Sequence, residues 1–409
     1  MNDNKTRIHY AWVTLAACFM FSFTTMPCLQ RSGLYKAAVR AFDSQRAPVS
    51  VYAALINVGQ IIGSPIMGSL IQRKSHKRII LICSLVAAAA FFGYSLCMEL
   101  WQFYLISLVL GVCTAGLTSA SVSALISRWF SEKRALALGI AYAGSGVGSA
   151  IFNPVVNWYI NGFGWRAGFR MLAVVLLCIN IPLTKFVIIN SPADRGMQPY
   201  GARPAAVTGM RNGGAGFTRA ETVRMPIFWL FLLASLLSGM TGCGVLQQLS
   251  AYMTDRGYDS AFAALIISGI MLFAAIGKPL SGWVFDRFGP RAGVLFLGLP
   301  MSVGIALLPA IQLPAVPYLV MCFYGVGYSL LTVPAAVLTL QLFGQKEYSA
   351  IFGIVMVFLG SGAALGSPVL ALAFDIVGSY SPVWGAYSAA ALAYVLIMLF
   401  VIGKMRKPA

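Results

Sequence analysis

Apolar residues fill this chain in long runs, and polar residues gather in the short stretches between them. A bilayer span needs about 20 mainly apolar residues. Twelve runs meet that length, near 11–35, 52–72, 79–98, 101–128, 135–159, 166–189, 226–250, 260–284, 292–312, 316–341, 348–373 and 380–403. One segment differs in kind. Residues 190–224 are rich in Gly, Pro, Ala and Arg and carry no apolar period, which predicts a flexible polar linker. The pattern divides the chain into an N-terminal six-span half (1–189), the linker (190–224) and a C-terminal six-span half (225–409).

The halves repeat one another. Gly63, Pro65, Gly68 and Arg73 recur as Gly277, Pro279, Gly282 and Arg287, each 214 residues later (277−63, 279−65, 282−68, 287−73). The same offset pairs Tyr104 with Tyr318, Thr118 with Thr332, Gly139 with Gly353 and Pro154 with Pro368. Six spans per half leave both copies in one orientation, so the expected architecture is all-α, with twelve transmembrane helices in two parallel repeats. Within the repeat one position stands out: Lys278 occupies the place of Ser64. A cation inside an apolar span is costly and marks a functional position.

Composition agrees with the pattern. The chain is 59% hydrophobic and 10% charged, with mean hydropathy +0.81, against roughly 25% charged residues in soluble domains. The formal charge of +18 would suggest nucleic acid in a soluble protein. Here the cations lie in short loops, so topology accounts for them and no nucleic-acid partner is expected. One side collects the Lys and Arg of both chain ends, the linker, and the loops after spans two, four, eight and ten; it is expected to be cytoplasmic. The other side carries Arg31, Lys36, Arg40, Arg46, Arg166, Arg170 and Arg256. The first span is expected to be retained rather than cleaved. The eight cysteines form no CxxC pair, and no disulfide framework or metal site is expected. No P-loop and no nucleophile–base constellation occurs, so neither an enzyme nor a cofactor is expected.

Gly282, Asp286, Arg287, Gly289 and Arg291 after the eighth span resemble the loop motif of the major facilitator superfamily. The resemblance spans the whole chain and implies alternating access, with Arg73, Asp286, Arg287 and Arg291 in a cytoplasmic gate. The first copy keeps Gly68 and Arg73 but has Gln72 for the acid. His9-Tyr10-Ala11-Trp12 and the stretch Arg128 to Ile140 are similar to the monocarboxylate porters and oxalate:formate antiporters. In the antiporters a span-eight arginine directly before a proline binds the substrate carboxylate, and Lys278 before Pro279 takes that place. Their second cation falls at Leu359 and is absent; their aromatic pair falls at Tyr324 and Tyr328.

Each candidate also has a plain structural reading. Lys278 could snorkel to the interface. It lies eight residues before Asp286, roughly 12 Å of helix at 1.5 Å per residue, which is beyond a comfortable lysine reach. Arg31 either anchors the outer interface or lines an anion-attracting vestibule. Tyr324 and Tyr328, spaced i, i+4, share a helical face, as packing or as cavity wall. Asn57, Gln60, Asn153, Asn157, Gln247 and Gln248 suit interhelical hydrogen bonds, with Gln60 and Gln247 kept as cavity candidates. Every acid, and both His9 and His76, falls in a loop or at a span end, so no embedded proton relay is seen. The expected protein is a monomeric secondary transporter of small organic anions in the inner membrane, with both termini cytoplasmic. One embedded cation suits a monocarboxylate, and a contribution from Arg31 would admit a dicarboxylate. Anion exchange is the expected mode; proton symport, drug or metabolite export and a non-transporting sensor are the alternatives.

Overall fold

The computed structural model describes residues 9–29, 47–73, 75–202 and 216–404. Within them the apolar runs form twelve helical spans: α1 (Tyr10–Leu29), α2 (Ala47–Arg73), α3 (His76–Leu96), α4 (Leu100–Trp129), α5 (134–163), α6 (165–187), α7 (Pro226–Asp255), α8 (260–288), α9 (290–306), α10 (316–343), α11 (Tyr348–Val377) and α12 (Tyr380–Lys404). Helices follow from the solvent, because hydrocarbon offers the backbone no hydrogen-bond partners and each span must satisfy its own amides. Large apolar side chains such as Phe92, Leu272 and Leu396 point outward, where lipid would cover them. The α5–α6 and α8–α9 turns are so tight that only Gly164 (φ 81°) and Gly289 (φ 84°) interrupt the helix.

The sequence repeat is a repeat of contacts. On α8, a Cβ added to Gly282 would lie 2.2 Å from the Ala135 carbonyl oxygen of α5. On α2, a Cβ on Gly68 would lie 2.3 Å from the Ser349 carbonyl oxygen of α11. Both members of the second pair are the first shifted by 214 (68+214=282, 135+214=349). Likewise Gly139 faces the backbone of Lys278 and Pro279, and Gly353 that of Ser64 and Pro65. One backbone-to-backbone crossing is therefore used twice, α5 on α8 and α11 on α2, as a twofold between parallel repeats requires.

Two spans break at equivalent points. Thr118 (φ −98°, ψ −126°) interrupts α4, and Thr332 (φ −124°, ψ −67°) interrupts α10, where the two pieces bend by 41°. A π-turn, Met240–Gly244, interrupts α7.

The linker departs from the expected flexible segment at both of its ends. Tyr200 pairs with the loop after α4: its amide donates to the Trp129 carbonyl at 2.8 Å and its carbonyl accepts from Ser131 at 2.9 Å. The Tyr200 ring packs against His9, Trp12 and Phe130. The Phe217 amide donates to the Phe343 carbonyl at 2.9 Å, at the end of α10. Aromatic burial and backbone pairing supply the order that a composition rich in Gly, Pro and Arg concealed.

Candidate functional site

Lys278 sits mid-way along α8, where that helix crosses α5. It is only 8% exposed. Its Nζ donates to Ser145 Oγ at 2.8 Å and to the Tyr142 carbonyl at 3.3 Å, both on α5. An ammonium has three donors; both partners here are neutral, and no carboxylate meets it among the described residues. The side chain is thus directed inward to the other repeat rather than along the helix to the interface.

Ser145 and Tyr142 also line a small central cavity of about 20 Å³, room for about one water in this conformer, completed by Ser22 and Thr25 of α1, Leu117 and Thr118 of α4, and Thr332 of α10. The two span breaks meet there, one from each repeat. Thr25 is 3% exposed and its hydroxyl has no hydrogen-bond partner among the described residues, an expensive state for a buried donor. Lys278 thus stands behind Ser145 and Tyr142, next to a cavity lined by several hydroxyls, a combination suited to a small anion carrying further polar atoms. Ser145, Thr25 and Ser22 lay outside the sequence reasoning, as ordinary small residues of apolar helices. Thr118 and Thr332 had a signal in the 214-residue pairing.

The aromatic pair divides. Tyr324 is fully buried, and its hydroxyl donates to the Gly242 carbonyl of the α7 π-turn. It holds that turn and has no donor left for a ligand. Tyr328 is partly buried and its hydroxyl lies 3.9 Å from Cys243 Sγ. It adjoins the point where α10 packs on α8, since a Cβ on Gly277 would lie 2.7 Å from Ser329 Oγ.

Gln60 donates to Thr114 Oγ1 at 3.1 Å, joining α2 to α4. Gln247 is exposed, and it is the adjacent Gln248 that faces inward, donating to Ser367 Oγ of α11 at 2.9 Å. Arg31 lies outside the described residues, as does the Arg73 side chain. His76, expected at a span end, is fully buried there, and neither ring nitrogen has a hydrogen-bond partner among the described residues.

At the end of the bundle that carries both chain ends, the Asp286 carboxylate accepts from the Leu136 amide at 2.8 Å and the Ala135 amide at 3.1 Å. An α8 acid thus caps the N-terminus of α5 across the repeats, where the helix dipole favours negative charge. Arg287 lies instead over the Trp283 and Phe288 rings, 5.6 Å and 5.7 Å from their centroids. Arg291 lies near Gly403 on the same face. Among the described side chains of the expected gate, Asp286 alone bridges the repeats, and it does so through amides rather than cations.

Comparison with known proteins bears on these features. The profile of the Major Facilitator Superfamily matches residues 11–367. Monocarboxylate transporter 13 of Rattus norvegicus is 26% identical over 378 residues, covering 91% of this chain and 84% of the relative. Monocarboxylate transporter 4 of the same organism is 21% identical over 421 residues, covering 98% and 85%. Among solved structures, a proton:xylose symporter superposes with a TM-score of 0.75 at 14% identity, covering 97% of this chain and 96% of that one. The E. coli fucose:proton symporter gives 0.69 at 16%, covering 96% and 99%. At these identities the structural likeness concerns the fold.

Proposed function

Because the chain belongs to the major facilitator superfamily, we propose that it is a secondary transporter of small monocarboxylates working by alternating access. Its relatives carry the name monocarboxylate transporter. The observation that carries the reading is Lys278: a buried cation whose two partners are neutral, beside a cavity lined by hydroxyls. A carboxylate entering that cavity supplies the missing charge through a charge-assisted hydrogen bond. Ser145 and Tyr142 hold the ammonium in place meanwhile, and Tyr328 lies on α10 four residues before Thr332 of the cavity lining. Tyr324 supports the site through the α7 turn; Gln60 positions α2 on α4.

The two repeats, 1–189 and 225–409, rock about this centre with the linker between them. The face bearing both chain ends is cytoplasmic, on the placement of Lys and Arg. Asp286 on the α5 amides then belongs to a conformer closed on the cytoplasmic side. The mode is exchange. With substrate the site is neutral; without it a lone charge must cross a low-dielectric barrier, which is unfavourable. Uptake of labelled C2–C4 monocarboxylates into proteoliposomes tests the function. Saturable uptake by the wild type is expected, and uptake no faster than in protein-free liposomes across that series overturns it.

A further inference from the structure

The two crossings at the closed face are equivalent in backbone and unequal in charge. On one, Asp286 reaches the amides of Ala135 and Leu136. On the other, Gln72 stands where Asp286 would (72+214=286), and its amide donates to the Lys346 carbonyl. Ser349 and Ala350, the equivalents of Ala135 and Leu136, receive no carboxylate from any described residue. Instead a cleft of about 170 Å³ opens at this point, lined by Gln72, Ser127, Arg128, Gln345, Lys346 and Ser349 together with Ala124 and Tyr348.

The lining holds two cations and no acid. Three acids lie nearby but outside the lining; two of them act on its cations through charge, and each accepts a backbone amide. Asp194, whose charge acts on Arg128, accepts from the Ser191 amide at 3.0 Å. Glu221 accepts from the Thr218 amide at 2.7 Å; that bond, a second one with Thr218 and the charge of Lys346 hold its carboxyl below the usual range. Glu347 accepts from the Arg219 amide at 2.7 Å. His76, on which the charge of Arg128 acts, is fully buried.

We propose that this cleft is a second anion site, separate from Lys278, that takes a small oxyanion of the phosphate type between Arg128 and Lys346. Arg128 belongs to α4 of the first repeat and Lys346 to the loop before α11 of the second. An oxyanion bound to both replaces the carboxylate that Gln72 lacks and ties the repeats together in the closed-face conformer. Transport then slows as the anion accumulates on that face. The inference stands whether or not Lys278 binds a carboxylate.

The test uses the full chain in phosphatidylcholine nanodiscs, with inorganic phosphate as probe and chloride at matched ionic strength as control. Phosphate should raise the melting temperature of the wild type saturably, and equally that of Lys278→Ala. Arg128→Gln and Lys346→Gln should weaken the half-saturating concentration at least tenfold. Lys346 is exposed, so its variant keeps the test valid if Arg128→Gln misfolds. Gln72→Asp should melt higher without phosphate and respond to it no further. If only phosphatidylglycerol nanodiscs stabilise the wild type, and not Gln72→Asp, the site stands and its source is a lipid headgroup. No response beyond chloride in either lipid, or an equal response in Lys346→Gln, overturns the proposal.

Discussion

Asp286 and Leu136 are joined across the repeats by a 2.8 Å hydrogen bond from an α5 amide to an α8 carboxylate. The bond exists only while α5 and α8 are crossed at this end, so it belongs to one conformer of a transport cycle. Asp286→Asn keeps an acceptor but loses the charge that the helix N-terminus favours, at a cost of about 1 kcal/mol. The expected result is a several-fold lower turnover with substrate affinity changed less than twofold. Paired uptake and equilibrium-binding measurements decide it, and a loss confined to affinity would contradict it.

Gly282 should tolerate nothing larger. A Cβ there meets the Ala135 carbonyl oxygen at 2.2 Å, and backbone at that distance has no room to yield. Overpacking typically costs 1–3 kcal/mol, so Gly282→Val should destabilise this conformer by about that much. The measurement is labelling of a cysteine placed at Ala135 from the face bearing the chain ends. Labelling should rise sharply in the variant; protection equal to that in Gly282 protein would refute a closed α5–α8 crossing.

The two tyrosines should separate. Tyr324→Phe removes one of two donors to the buried Gly242 carbonyl of the π-turn, which keeps the Val245 amide, a loss of about 0.5–1.5 kcal/mol in stability. Tyr328→Phe removes a hydroxyl whose partner is a thiol at 3.9 Å, so stability should hold while affinity falls. Thermal unfolding and substrate titration on both variants give the answer. Equal loss of affinity in both, with stability unchanged, would return Tyr324 to the site.

Much of this was legible in the sequence because lipid leaves little choice. Apolar length sets the spans, and the 214-residue register anticipates crossings as local as Gly282 on Ala135 and Gly68 on Ser349. The second part of α7 is amphipathic, with Val245, Leu249, Tyr252 and Met253 on its buried face; Gln248 follows Val245 by three residues and precedes Tyr252 by four, so helical spacing favours it over Gln247, and the structure turns Gln248 inward. The finer site was less legible for a physical reason. The i, i+4 spacing of Tyr324 and Tyr328 places them on one face but says nothing of the π-turn carbonyl that consumes the first hydroxyl. Thr25 and Ser145 gain meaning only from what helices distant in sequence bring beside them.

Exchange makes a kinetic demand. If the empty site carries an uncompensated Lys278 charge through the barrier, reorientation without substrate is slow. Liposomes loaded with unlabelled substrate should then take up label at least several-fold faster than empty ones, and an imposed inward proton gradient should add little. Strong accumulation in empty liposomes driven by that gradient alone would establish proton symport instead.

The central claim is that Lys278 receives the substrate's carboxylate. Charge-assisted hydrogen bonds contribute about 1.5–3 kcal/mol, so Lys278→Ala should weaken equilibrium binding of the best-transported monocarboxylate roughly 10- to 100-fold. Lys278→Arg should retain part of it, since the charge survives and the geometry changes. Ser145→Ala, which frees the ammonium from its 2.8 Å partner, should fall between them. Binding to purified, correctly folded Lys278→Ala protein is the decisive measurement. The account predicts loss of affinity in that range, and wild-type affinity in Lys278→Ala would contradict it.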